Sequence, residues 1–325
     1  MARYKVFVTR EIPKQGLDIL AEHCDYEMNP DDRVLTEDEI IQGAKGKDGL
    51  LCLLTDRIGA RIMDEVMPKV ISNYAVGVDN IDIQAATERG ILVTNTPGVL
   101  TETTADQTFA LLLGVARRIV ESDRYIRDGR FNGWGPMLML GTDVHSKTIG
   151  IIGLGKVGTA VARRAKGFKM KILYHSRTRK PDVDRELGAQ YQDMNSLLQN
   201  SDFVVLTTAL TPETKELIGK RELDLMKPSA FLINTARGGV VDEAELVDAL
   251  RERRIAGAGL DVFKDEPHFI NQDIYDLDNV VMAPHTGSAT VETRGKMSIL
   301  AAENLVAALH GKMPKHPVNP EVLDG

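Results

Sequence analysis

Three chemically capable side chains each follow an apolar run of the chain. Arg237 comes after "AFLINTA" (230–236). Glu266 lies in "DVFKDEP" (261–267), behind "AGAGL" and Asp261, and His285 ends "NVVMAP" (279–284). An arginine offers forked cationic donors that match a carboxylate and polarise a neighbouring carbonyl. Imidazole titrates in the range where an alkoxide formed by hydride addition needs its proton, which suits His285 to acid/base work. A carboxylate beside that ring favours the imidazolium and fixes its orientation, the part open to Glu266. Together they are the equipment for reducing a 2-oxo acid. His268 is a rival, being closer in sequence to Glu266; His285 is preferred because it ends an apolar run and precedes the small residues "TGSA" (286–289). Each residue also has an ordinary reading: a surface ion pair for Arg237, a turn before Pro267 for Glu266.

Hydride chemistry needs a carrier, and "TIGIIGLGKVGTAVARRAKGF" (148–168) points to one. Gly153, Gly155 and Gly158 stand in G-x-G-x-x-G spacing, with an apolar strand before them and an amphipathic helix after. The first glycine permits the tight turn, the second lets backbone approach a pyrophosphate, and the third lets helix pack on strand. The helix N-terminus then presents N–H groups to the anion. In NAD-binding units an acidic residue at the end of the next strand accepts from the ribose hydroxyls. Here that strand ends "ILYHSRTRK" (172–180), with His175 at that place and Arg177, Arg179 and Lys180 beyond it. Guanidinium and hydroxyl groups suit a phosphate monoester, so NADP(H) is favoured and NAD(H) remains possible. The plainer alternative is a solvated basic turn.

These residues require a scaffold of parallel α/β units. Short β-branched runs alternate with helical patterns in two series. The first contains 5–9, 49–55, 69–76 and 91–96, with helices expected at "PKQGLDILAEHC" and "ARIMDEVMPK". The second contains 148–153, 171–175, a short strand near 189–192, then 202–208, 230–236, 256–263 and 279–284. One long helix follows, roughly Ala289 to His310. Thr101, Thr103 or Thr104 is expected to cap the helix "ADQTFALLLGVARRI". The fold class is therefore α/β with two Rossmann-like or flavodoxin-like domains. A doubly wound nucleotide domain (100–287) is inserted into a discontinuous substrate domain (1–99 plus 288–325).

Composition bounds the partners. With 325 residues and a formal net charge of -7, a nucleic-acid or membrane partner is not expected. Cys24 and Cys52 are too few for a disulfide framework or a cysteine zinc site, and no H-x-x-x-H pair suggests a metal. The chain opens on a strand-like run rather than a signal-peptide pattern, and no stretch has transmembrane length, so a cytoplasmic location is the default expectation.

Across nearly its whole length the chain resembles the D-isomer-specific 2-hydroxyacid dehydrogenases, most of all their glyoxylate/hydroxypyruvate reductase branch. The motifs are "NYAVGVDNID" (73–82), "GIIGLGKVG" (150–158), "LINTARGGVVDE" (232–243), "GLDVFKDEP" (259–267) and "PHTGSAT" (284–290). The resemblance implies a catalytic set of Arg237, Glu266 and His285. It implies that the N–H groups of Val76 and Gly77 hold the substrate carboxylate, with Leu53 bordering the pocket, and that Asp261 orients the nicotinamide carboxamide. Thr104, the loop of Leu154, Gly155, Lys156 and Val157, Ser176, Arg177, Thr178, Thr235, Ala236 and Gly287 would contact the cofactor. The segment "FNGWGPMLMLG" (131–141) is similar to the family's dimer arm, which implies a homodimer. The substrate would be a small 2-oxo or 2-hydroxy acid, with 2-ketogluconate-type reductases the runner-up and a nucleotide-sensing binding protein a further alternative. The chain departs from the family pattern at Ala209, where proline is frequent, at Thr286, where isoleucine or leucine is commoner, and after Glu266.

Overall fold

The computed structural model describes residues 3–266 and 271–323. They form two compact units: one from residues up to 100 together with 289 onward, the other from Thr101 to Ser288.

The first unit is built on a parallel sheet of β1 (Tyr4–Val8), β2 (Cys24–Met28), β3 (Gly49–Leu53), β4 (Val70–Tyr74) and β5 (Leu92–Thr94), in the order β2-β1-β3-β4-β5. Side chains of a strand point alternately to its two faces. Val6, Val8 and Leu51 accordingly pack on one face with Met297, Ala301 and Leu305 of the helix Val291–Leu309. Phe7, Leu50, Cys52 and Ile71 pack on the other with Ile40, Ile62 and Met63. Strand β2 and the helix Glu37–Ala44 have no counterpart among the expected elements. As an edge strand, "CDYEM" buries only alternate positions and shows no apolar run.

The second unit holds β6 (Thr148–Ile152), β7 (Lys171–His175), β8 (Gln190–Tyr191), β9 (Phe203–Leu206), β10 (Phe231–Asn234), β11 (Gly257–Leu260) and β12 (Val280–Met282). Their order is β12-β11-β10-β9-β6-β7-β8, all parallel. Both faces are covered: Ile149, Ile151 and Val205 meet Phe109, Leu112 and Val161, while Ile152, Val204 and Leu232 meet Leu197, Leu246 and Leu250. Burial on both sides is why these strands read as continuous apolar runs. The order reverses beside β6, and ligands of such sheets bind outside the carboxyl ends of the strands at that switch point. The glycine loop leaves β6 there. One expectation needs correcting. The helix Thr101–Ala116 already includes Thr101, so Thr103 and Thr104 lie inside its first turn rather than ahead of it as caps. Among the described residues, no helix is long and apolar enough to cross a membrane.

Candidate active site

The glycine loop shows which of its glycines the fold itself demands. Gly153 has φ +98°, and a Cβ there would stand 2.8 Å from the Thr208 nitrogen. At Gly158 a Cβ would meet the Gly153 carbonyl oxygen at 2.3 Å, so helix and strand pack only without a side chain. Gly155 differs. It precedes the helix Lys156–Gly167 at φ -81°, and a Cβ would meet nothing within 4 Å. Neither backbone nor packing asks for glycine there, and the open side at a helix N-terminus fits a close-approaching pyrophosphate. Leu154 is buried in the core, Lys156 is exposed as the first helical residue, and Val157 is partly buried.

At the end of β7, the His175 ring shares a hydrogen bond with the Gln192 carbonyl (3.0 Å), and no acid takes its place. The Ser176 hydroxyl donates to the Thr178 carbonyl at 2.7 Å. Arg179 is engaged with Asp184 at 3.0 Å. Arg177 is exposed and has no hydrogen bond or ion pair among the described residues; the pKa of Glu213 is lowered chiefly by the Thr211 hydroxyl, and the Arg177 charge adds to this.

The loops after β10, β11 and β12 converge. Asn234, at the end of β10, is buried. It donates to the Arg237 carbonyl (3.0 Å) and accepts from the Ala236 N–H (3.0 Å), which shapes the turn carrying Arg237. The Arg237 guanidinium donates to the Ala236 carbonyl at 2.8 Å. A Cβ at Gly238 would fall 1.9 Å from the Phe263 carbonyl carbon, so this loop packs directly on the backbone leading to Glu266. Thr235 is hydrogen-bonded to the Thr108 hydroxyl (2.8 Å), whose other partner is the Thr104 carbonyl.

Glu266 and His285 are hydrogen-bonded through Oε1 and Nδ1, and both side chains are partly exposed. The second Glu266 oxygen accepts the Phe263 N–H at 3.1 Å, so the carboxylate is anchored as well as paired. His285 stands at φ +54°, left-handed backbone that is uncommon for any residue but glycine. Asp261 holds it there. Its carbonyl accepts the His285 N–H (2.9 Å). Its buried carboxylate takes the N–H groups of Thr286 (2.8 Å) and Gly287 (2.7 Å) and the Thr286 hydroxyl (3.2 Å). Burial raises the Asp261 pKa, opposed by those N–H donors and the nearby His285. Gln107 in turn donates to the Thr286 hydroxyl at 3.1 Å. The rival His268 lies outside the described residues.

In the first unit, Leu53 is partly buried at the end of β3, while Val76 and Gly77 lie in the turn after β4, with Val76 exposed. The sequence motifs did not point to Asn234 or Gln107. An amide side chain has no sequence signature for its distant partner. Among the described residues no group of three His, Cys, Asp or Glu side chains could hold a metal.

Comparison with known proteins gives a consistent picture. A family model described as the NAD binding domain of D-isomer specific 2-hydroxyacid dehydrogenase matches residues 109–287. A glyoxylate reductase of Thermococcus gammatolerans is 50% identical over 324 residues, covering 98% of this chain and 97% of that one. Its counterpart in Pyrococcus furiosus is 48% identical, with 98% and 96% covered. Among solved structures, a protein of Thermus thermophilus matches at 46% identity and TM-score 0.90, with 97% of this chain and 99% of that one covered. An NADPH-dependent glyoxylate/hydroxypyruvate reductase of Sinorhizobium meliloti, in complex with NADP and malonate, matches at 33% identity and TM-score 0.85, with 98% and 97% covered.

Proposed function

The chain belongs to the D-isomer-specific 2-hydroxyacid dehydrogenases, and within that family we propose that it reduces glyoxylate and hydroxypyruvate with NADPH, NADH serving less well. The observation that carries this reading is the Glu266–His285 pair. With Nδ1 held by a carboxylate, the ring meets substrate through Nε2 and gives its proton to the oxygen that becomes the hydroxyl. A bound nicotinamide supplies the hydride. Arg237 binds the substrate carboxylate and polarises the carbonyl. The Val76 and Gly77 N–H groups are the further carboxylate donors, with Leu53 bordering the substrate. Asp261 spends three acceptor positions on Thr286 and Gly287. A carboxylate has about four, which leaves one on Oδ2 for the carboxamide N–H.

Preference for NADPH rests on Arg177, exposed and without an ion pair among the described residues, flanked by the hydroxyls of Ser176 and Thr178. A homodimer is supported by the apolar residues Phe131, Trp134, Met137 and Leu140, all exposed, Trp134 to 84%. Light scattering of the intact protein at twice the monomer mass is the expected result.

The deciding assay follows nicotinamide oxidation with NADPH and NADH against glyoxylate, hydroxypyruvate, pyruvate and 2-ketogluconate. Turnover of the first two, fastest with NADPH, is expected; none with any of the four would overturn the enzyme reading, and strong 2-ketogluconate preference would replace it. Arg177→Ala should raise the KM for NADPH roughly tenfold and leave that for NADH unchanged, as expected for loss of one charge-assisted bond.

A further inference from the structure

Backbone N–H groups bind an anion well only when something fixes the direction in which they point. In the turn after β4, the N–H groups of Val76 and Gly77 meet no acceptor among the described residues. Their own peptides are nevertheless pinned. The carbonyl that shares a peptide with the Val76 N–H is that of Ala75, and it accepts the Thr96 N–H at 2.8 Å. The carbonyl that shares a peptide with the Gly77 N–H is that of Val76, and it accepts Asn95 Nδ2 at 2.7 Å. In a trans peptide, C=O and N–H point in opposite directions. Both N–H groups therefore point away from the segment after β5, and two successive N–H groups held in this way can be shared by one anion.

Asn95 is itself tethered. Its carbonyl accepts Nδ2 of Asn304, a buried residue of the helix Val291–Leu309, at 3.0 Å. On the far side of the turn, Asn73 donates to the Gly77 carbonyl (2.9 Å) and to Asn80 Oδ1 (2.9 Å). Asn80 donates to the carbonyls of Leu53 and Asp56, each at 3.0 Å. Asn73 and Asn80 brace the turn in the core; Asn95 alone, through its side chain, sets the peptide that carries the Gly77 N–H.

We propose that Asn95 is a positioning residue for the substrate carboxylate: its amide holds the Val76 carbonyl so that the Gly77 N–H stays directed at the anion. This rests on the reading that Val76 and Gly77 serve that carboxylate. Without the amide donor, the peptide loses its direct restraint and the anion loses a preset partner, while hydride and proton transfer keep their groups. An aspartate at 95 reverses the dipole at neutral pH, setting a carboxylate against the carbonyl. Protonated at lower pH, it regains a donor.

The test is steady-state reduction of glyoxylate by the intact enzyme carrying Asn95→Ala or Asn95→Asp, with NADPH binding followed by its fluorescence. Expected for Asn95→Ala is a glyoxylate KM raised roughly tenfold, with kcat changed less than about threefold and NADPH affinity unchanged. For Asn95→Asp the KM rise, taken against wild type at the same pH, should shrink as pH falls through the ordinary aspartate range, from about 6 to about 4. Should Asn95→Ala not fold, the pH dependence within Asn95→Asp decides alone. An unchanged glyoxylate KM, a parallel loss of NADPH affinity, or no pH-dependent recovery would overturn the proposal. Failure of wild type to turn over glyoxylate at all would instead overturn the reading beneath it.

Discussion

Asp261 and Glu266 leave the same strand end, β11, yet the fold treats these two carboxylates in opposite ways. Asp261 is 1% exposed and receives three hydrogen bonds, two of them from backbone N–H groups of the loop that carries His285. Glu266 stays partly exposed, takes one backbone N–H, and offers its other oxygen to the imidazole. A carboxylate surrounded by backbone donors is a scaffold, because moving it would strand several N–H groups at once. One that faces a titratable ring is free to respond to that ring's charge. The loop after β11 thus separates a scaffold carboxylate from one paired with the imidazole over a single short turn.

The sharpest way to break this contrast is at the ring. His285→Ala should lower kcat by about 10³ while NADPH still binds, since general acid catalysis contributes on that order. Glu266→Gln should cost less, about 10- to 100-fold in kcat, because the amide can still hold the ring but carries no charge. Both should leave the midpoint of denaturant unfolding nearly unchanged. Equal losses of stability in Glu266→Gln and Asp261→Asn would erase the distinction.

Asp261→Asn should show the opposite balance. The amide nitrogen would face an N–H it cannot accept, so unfolding free energy should fall by about 2 kcal/mol and the loop after His285 lose one of its side-chain anchors. The pH dependence has a definite sign. Burial raises the folded-state pKa of Asp261 above its unfolded value. The folded state therefore binds the proton more tightly between the two values, and this residue's contribution to stability falls as pH rises through that window, just above the ordinary aspartate range. Asn does not titrate, so the variant should lack that slope; urea unfolding from about pH 4 to about pH 6 measures it.

How much of this was legible beforehand follows from the kind of interaction. Strands β6, β9 and β10 are buried on both faces and announce themselves as apolar runs; the edge strand β2 does not. The glycine spacing carries its own steric reasons, seen at Gly153 and Gly158. His285 and Glu266 were legible because both follow strands, and they are hydrogen-bonded. Hidden instead were the supports. Gln107 meets Thr286 across 179 residues of chain, and Asn304 meets Asn95 across 209. Such pairs have no period, no fixed spacing and no apolar neighbour pattern, so only the folded chain reveals them. The departure at Thr286 was visible as a residue out of pattern, but its meaning depended on Gln107.

That departure gives the finest test of the scaffold carboxylate. The Thr286 hydroxyl lies between Gln107, which donates to it, and Asp261, to which it donates. The Thr286 N–H bond to Asp261 is shorter, at 2.8 Å against 3.2 Å, and belongs to the backbone. Thr286→Val keeps the branched shape and that N–H, and removes only the hydroxyl. If backbone donors do most of the holding, stability should fall by only about 1 kcal/mol, chiefly from the Gln107 amide left without an acceptor, and kcat by less than about threefold. Nearly unchanged stability and kcat in Thr286→Val, beside a clear loss in Asp261→Asn, would assign the hold to the main chain. A Thr286→Val variant as impaired as Asp261→Asn would move it to the Gln107–Thr286 side chains, making the residue that departs from the family pattern the one that keeps His285 in place.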